Sequence, residues 1–223
     1  MASVGGVGAT KLLFLDCDST LSGMEGIDEL ARLRGPEVYR QVEKMTHQAM
    51  DGRLPLGEIF ARRLDLIWPH QRDLEEVGRL YLERVDPTAR ETVAALRAAG
   101  WTAVIISGGF RPAITPLAEF LGVDRLEAVE LYFDEAGDFA GFDGDSPLTH
   151  SGGKPELIAE LQARFQPAHT VMVGDGASDL EAKPVVDLFV GYGGYVTREK
   201  VCAGAGAFIH RLAELPPLLT RFN

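Results

Sequence analysis

Four short apolar runs constrain this chain more than any other feature. Lys11-Leu-Leu-Phe-Leu15, Thr102-Ala-Val-Ile-Ile106, Thr170-Val-Met-Val173 and Asp187-Leu-Phe-Val190 carry no alternation of polar and apolar residues. Strands buried on both faces read this way, as in a parallel sheet covered by helices. Three of the runs stop in small and polar residues: Asp16-Cys-Asp-Ser-Thr20, Ser107-Gly-Gly109 and Gly174-Asp-Gly176, and the fourth in Gly191-Tyr-Gly-Gly194.

Helical patterns separate the runs. Asp86-Pro87 reads as an N-cap with proline in the first turn, Val93, Leu96 and Ala99 share a face, and Gly100 ends the helix. Ser151-Gly-Gly-Lys154 leads into a second helix, with Leu157, Ile158, Leu161 and Phe165 spaced for burial. This alternation predicts an α/β fold with right-handed crossovers. Leu131-Tyr-Phe133 and Phe139-Ala-Gly-Phe142, with turn residues through Gly137 between them, predict a small β-hairpin. From Leu21 to Val85 no strand pattern occurs. Ile27, Leu30 and Ala31, then Val38, Val42 and Met45, then Ile59, Phe60 and Leu64, then Leu74, Val77 and Leu80 recur at helical spacing. The segment reads as a helical insertion after the first strand.

Composition excludes whole classes of function. With 223 residues, 46% hydrophobic and 25% charged, the chain is neither disordered nor a disulfide miniprotein. No apolar run approaches the roughly 20 residues of a membrane helix, and Met1–Thr10 has no secretory pattern. A cytoplasmic protein is expected. Its net charge of −11 repels nucleic acid and anionic membranes, so an anionic ligand needs a locally positive pocket. Cys17 and Cys202 read as two lone thiols. His47, His70, His150, His169 and His210 lack zinc-ligand spacing. Oligomeric state is left open, a homodimer included.

Two glycine- or aspartate-rich stretches mislead. Gly5-Gly-Val-Gly8 precedes a strand, whereas a phosphate loop follows one. Asp16-Cys-Asp18 resembles the start of a calcium loop, but Leu21 and Ile27 occupy its glycine and glutamate positions.

In open parallel sheets, ligands bind beyond the carboxyl ends of the strands. That edge is expected to collect Asp16, Asp18, Ser107, Gly108, Gly109, Asp175 and Asp179, with Lys154 at the start of a helix facing it. Several carboxylates beside one lysine make a hard oxygen site suited to Mg²⁺. One carboxylate can attack phosphorus, and a second can shuttle a proton. Ser107, Lys154 and helix amides can stabilise phosphoryl oxygens.

Asp16-Cys-Asp-Ser-Thr20, Ser107-Gly-Gly-Phe110, Ser151-Gly-Gly-Lys154 and Gly174-Asp-Gly-Ala-Ser-Asp179 resemble, in order, the four signatures of the haloacid dehalogenase superfamily. Met24-Glu-Gly-Ile-Asp-Glu-Leu-Ala31, Met45-Thr-His-Gln-Ala-Met50, Ser107-Gly-Gly-Phe-Arg111 and Phe139-Ala-Gly-Phe-Asp143 resemble the phosphoserine phosphatases within it. The likeness runs from about Lys11 to Leu219. It implies a Rossmann-like parallel-sheet core, 1–21 and 86–223, with an inserted helical cap at 22–85 and the hairpin as a flap.

The resemblance implies residue roles. Asp16 is the nucleophile and a Mg²⁺ ligand. Asp18 is the general acid/base, with its main-chain carbonyl on the metal. Asp175 is the third ligand, and Asp179 supports the metal shell. Ser107 and Gly108 bind phosphate, Gly109 and Ser178 complete the substrate-binding set, and Lys154 holds phosphate and nucleophile together. Glu25 takes the substrate ammonium, Arg63 its carboxylate, and Met50 lines the site. The implied activity is Mg²⁺-dependent hydrolysis of O-phospho-L-serine through an aspartyl-phosphate, the last step of serine biosynthesis. Its rivals are transfer of the phosphoryl group to homoserine, hydrolysis of another small phosphomonoester, and non-catalytic binding of Mg²⁺ or phosphate. Asp51, Pro116 and Ser178 depart from the family pattern. Asp51 is expected to add charge near the substrate entrance and Pro116 to start a fresh turn after Thr115 or kink the helix. Cys17 is expected to be a packed small residue.

Overall fold

A computed structural model describes residues 10–222. The glycine run Gly5–Gly8 lies outside the described residues. Strand β1 (Lys11–Leu15) is followed by four helices, α1 (Gly26–Arg32), α2 (Pro36–Met50), α3 (Leu56–Ile67) and α4 (Gln71–Glu83). Helix α5 (Ala89–Ala98), strand β2 (Trp101–Phe110) and helix α6 (Arg111–Leu121) lead to β3 (Arg125–Val129). The hairpin is β4 (Leu131–Phe133) and β5 (Phe139–Phe142). Then come α7 (Gly153–Phe165), β6 (His169–Gly174), α8 (Ala177–Leu180), β7 (Leu188–Tyr192), α9 (Glu199–Gly204), β8 (Ala207–Ile209) and α10 (Leu215–Leu219).

The main sheet has six parallel strands in the order β3-β2-β1-β6-β7-β8. Strand β1 lies at its centre, with Leu15 opposite Ile105 on one side and Val173 on the other. Leu12 through Leu15, Val104 through Ile106 and Val171 through Val173 are buried on both faces, which is why their sequence does not alternate. The helical segment between β1 and α5 closes over the carboxyl edge of the sheet, with Phe60 of α3 against Phe110 and Phe142.

Local details depart from expectation. Helix α5 starts at Ala89 rather than at Pro87. Asp86 instead accepts from the Thr88 amide and hydroxyl and from the Tyr192 hydroxyl, so it closes the preceding turn and ties it to β7. Pro116 starts no fresh turn: α6 runs through it from Arg111 to Leu121. Its ring faces α4 at Gly78, where an added Cβ would lie 3.2 Å from the Ala113 carbonyl oxygen. Strand β3 at one sheet edge lacks a continuous apolar run, and β8 at the other, Ala207-Phe-Ile209, is only three residues long.

Candidate active site

The site begins where β1 runs out. The Asp16 amide still bonds the Val173 carbonyl at 3.0 Å, so its side chain leaves from the last paired position of the sheet. The chain then turns within a few residues. The amides of Thr20, Leu21 and Ser22 converge on the Cys17 carbonyl, and Ser19 takes a φ of +52°. That left-handed residue is a local strain held by its surroundings. Its hydroxyl donates to Glu25 Oε1 at 2.7 Å.

Lys154 reaches the same point from α7. An added Cβ at Gly153 would lie 1.6 Å from the Pro147 carbonyl oxygen, so only glycine lets this helix start so close to the preceding turn. Buried Lys154 donates to Asp16 Oδ1 at 2.5 Å and to Asp179 Oδ1. Asp179 is thereby fully engaged, since its Oδ2 accepts from the Gly176 amide at 2.8 Å. Asp175 accepts from Thr20 Oγ1 at 3.3 Å and Arg198 Nε at 3.2 Å.

Carboxylate oxygens of Asp16, Asp175 and Asp179 lie within 4.8 Å of one another, all buried. Burial first, then the Asp179 charge, lifts the Asp16 carboxyl well above the usual carboxylate range against the pull of Lys154. Burial and Asp179 push Asp175 up to about 7, opposed by Arg198. Burial alone would lower Lys154, but Asp16 and Asp179 reverse this and raise it. An oxygen-only cluster with uncompensated buried negative charge fits a hard divalent cation.

Asp18 sits two residues on. Tyr81 donates to its Oδ1 at 2.6 Å, the Gly26 amide to the same oxygen at 2.7 Å, and Ser107 Oγ to Oδ2 at 3.3 Å. Burial raises its pKa, while these donors pull it back. Ser107 ends the straight part of β2; between Ile106 and Phe110 the register with β3 shifts, and the Gly109 amide folds back onto the Ser107 hydroxyl at 3.0 Å.

The opposite wall comes from the helical segment. Arg63 is only 3% exposed. One terminal nitrogen donates to Thr46 Oγ1 at 3.2 Å, and Thr46 donates to Asp28 Oδ1 at 2.7 Å. Among the described residues the buried Arg63 Nε has no hydrogen-bond partner, an expensive state for a charged group unless something fills the space. Burial lowers the Arg63 pKa. Burial, followed by the charge of Asp18, raises Glu25 well above its ordinary value.

One pocket between the two walls is lined by Asp16, Asp18, Glu25, Met50, Arg63, Ser107, Gly108, Gly109, Lys154 and Ser178. Asp175 and Asp179 are not in that lining but cluster with Asp16. Asp51 is not in the lining either. Arg198 holds its Oδ1 at 3.1 Å and Lys200 its carbonyl oxygen at 3.0 Å, so Asp51 joins the end of α2 to the start of α9. Cys17 is fully buried, and burial beside Asp18 and Asp16 pushes its thiol well above the ordinary value. It is a packed, unreactive residue.

Sequence reasoning did not single out Thr20, Thr46, Tyr81 or Arg198. Tyr81 was hidden because it continues the apolar face of Leu74 and Val77. Arg198 lies six residues past the end of β7, at the cap of α9, where nothing in the sequence sets it apart from a solvated arginine.

Residues 13–182 match the family model for haloacid dehalogenase-like hydrolases. The chain is similar to the phosphoserine phosphatase of Bos taurus, 38% identical over 204 residues, which is 90% of this chain and 89% of that protein. A solved phospho-aspartyl intermediate analogue of phosphoserine phosphatase superposes with a TM-score of 0.82 at 28% identity, over 94% of this chain and 99% of the other. A substrate-bound phosphoserine phosphatase complex superposes with a TM-score of 0.82 at 26% identity, over 94% and 98%.

Proposed function

This chain belongs to the haloacid dehalogenase-like hydrolases, and from that premise we propose that it hydrolyses O-phospho-L-serine to L-serine and phosphate with Mg²⁺. The observation that carries the reading is the pocket's polarity. Asp16, Lys154 and Ser107 form one wall, suited to a phosphoryl group. Arg63, with its unpartnered Nε, and Glu25 belong to the other. Phosphoserine carries a phosphate, a carboxylate and an ammonium. A planar guanidinium is the fitting partner for the carboxylate, and Glu25 for the ammonium. Met50 fills the space beside them. In this reading residues 22–85 act as a specificity cap on a core of 1–21 and 86–223.

Asp16 attacks phosphorus through its Oδ2, because Oδ1 is held by Lys154. As the aspartyl oxygen–phosphorus bond forms, the bond from phosphorus to the serine oxygen breaks, and Asp18 gives that oxygen its proton. Asp18 then takes a proton from the water that attacks the aspartyl-phosphate, releasing phosphate and restoring Asp16. Lys154, the Ser107 hydroxyl and the backbone at Gly108 and Gly109 stabilise the phosphoryl oxygens, with Ser178 at the pocket rim. Asp16, Asp175 and the Asp18 carbonyl would hold Mg²⁺, with Asp179 steadying Lys154 behind them. When bound, the ion neutralises phosphoryl charge.

The product places the enzyme at the end of serine biosynthesis. Cys17 and Cys202 are unpaired, which supports a reducing cytoplasm. Among the described residues no helix is long and apolar enough to cross a membrane. The test is phosphate release from a panel of phosphomonoesters, with Mg²⁺ and with chelator, and product analysis with added homoserine. Phosphoserine must be preferred, release must need the metal, and serine must be the product. A preference for phosphomonoesters lacking the amino-acid group overturns the assignment.

A further inference from the structure

The Asp18 carboxylate is held chiefly from outside its own loop. Both donors to Oδ1, the Tyr81 hydroxyl at 2.6 Å and the Gly26 amide at 2.7 Å, come from the helical segment. Two donors occupy both lone-pair directions of that oxygen. Among the described residues Oδ2 has only the longer contact with Ser107 Oγ, and it lies over Gly109, where an added Cβ would be 3.0 Å away. Tyr81 is fully buried, and the hydroxyl leaves no room beside it, since a Cβ on Gly26 would lie 2.2 Å from it.

We infer that Tyr81 is a positioning residue for phosphoryl transfer: with the Gly26 amide it saturates Asp18 Oδ1, so that Oδ2 alone meets the leaving oxygen. The inference rests on the reading of Asp18 as proton donor. In the first step the Oδ2 proton passes to the serine oxygen as its bond to phosphorus breaks and the Asp16 oxygen–phosphorus bond forms. Tyr81 keeps its own proton throughout. Because Tyr81 stands on α4, the donor is aligned only when the helical segment is seated on the core.

The consequence depends on the leaving group. A serine alkoxide needs the proton, and an aryl oxide does not. Tyr81→Phe keeps the ring and removes the hydroxyl. Rapid-quench measurement should show phosphoenzyme formation from phosphoserine slowed about 10-fold, a fraction of the ~10²–10⁴-fold that general acid catalysis supplies. Half-saturation should stay within about twofold, and so should the phenolate burst from an aryl phosphate. Equal slowing with both substrates, or no slowing with either, overturns the inference. Gly26→Ala drives a methyl into the Tyr81 hydroxyl, and it should give the same selective loss if Tyr81→Phe is too unstable to assay. Asp18→Asn, assayed alongside, separates the two levels. If it slows both substrates equally, the proton-donor reading of Asp18 fails. If it is selective for phosphoserine while Tyr81→Phe is not, only the role of Tyr81 fails.

Discussion

The Lys154 ammonium lies 2.5 Å from Asp16 Oδ1 and also bonds Asp179, so one buried cation holds two of three clustered carboxylates. Removing one partner of a buried ionic group leaves the others uncompensated, at a cost of roughly 3–5 kcal/mol. Lys154→Met should therefore melt at a lower temperature than wild type in metal-free buffer, and it should form no phosphoenzyme. Added Mg²⁺ should recover part of the melting temperature without recovering activity. An unchanged thermal transition would show that Lys154 does not balance the cluster.

Asp16 and Asp18 should separate in a trapping experiment. Asp16→Asn should give no acid-stable, hydroxylamine-labile phosphoenzyme from any substrate. Asp18→Asn should still accumulate some from an aryl phosphate. Phosphate on another residue of Asp16→Asn at wild-type turnover would overturn the nucleophile assignment.

Arg63→Ala should raise KM for phosphoserine by the loss of a charge-assisted contact, about 1.5–3 kcal/mol or roughly 10- to 150-fold. It should barely change kinetics with a phosphomonoester lacking a carboxylate. Arg63→Lys should not restore affinity, because a point charge cannot match two carboxylate oxygens. Equal slowing of all substrates would make Arg63 structural.

Asp175→Ala should abolish turnover at ordinary Mg²⁺ and leave the fold intact. Calorimetric titration should show Mg²⁺ affinity weakened in step. Ca²⁺ should inhibit, since its larger and looser shell displaces the nucleophile. Robust catalysis with Ca²⁺ alone would contradict the geometry.

Asp28 gives a signature in stability against pH. Burial raises it from 3.8 to about 6, although Thr46 and Arg63 lower it. The native state therefore holds its proton where the unfolded chain has lost it. Stability from this group is greatest below about pH 4, falls as pH rises toward 6, and stays low above. Relative to Asp28→Asn, the wild type should lose on the order of 3 kcal/mol across that window. Chemical denaturation at a series of pH values measures it, and parallel curves for the two proteins would refute the assignment.

The central strands were readable because burial on both faces removes alternation. The edge strands were not: Arg125-Leu-Glu-Ala-Val129 has one partner and a wetter start, so its composition resembles that of a helix or turn. The carboxylates and Lys154 were legible because each sits just past a strand or opens a helix. The contacts that complete them were not. Tyr81 and Thr46 occupy helix positions where an apolar neighbour would fit equally well, and only the three-dimensional closure of the helices brings their hydroxyls to Asp18 and Asp28. Arg198 resembled any solvated arginine until the chain brought it back to Asp175.

The central place of β1 has a kinetic cost. Both of its sheet partners, β2 and β6, come later in the chain, β2 only after four helices and α5. During synthesis the apolar Leu12–Leu15 stretch must wait, unpaired, while that helical segment is made. Pairing across such sequence distances is slow, and an exposed strand is a hazard for association between nascent chains. Because Asp16 rides on that strand, and its lysine arrives 138 residues later, catalytic competence should be among the last properties acquired in folding. Regain of activity after dilution from denaturant is therefore a stricter gauge of refolding than regain of helix signal.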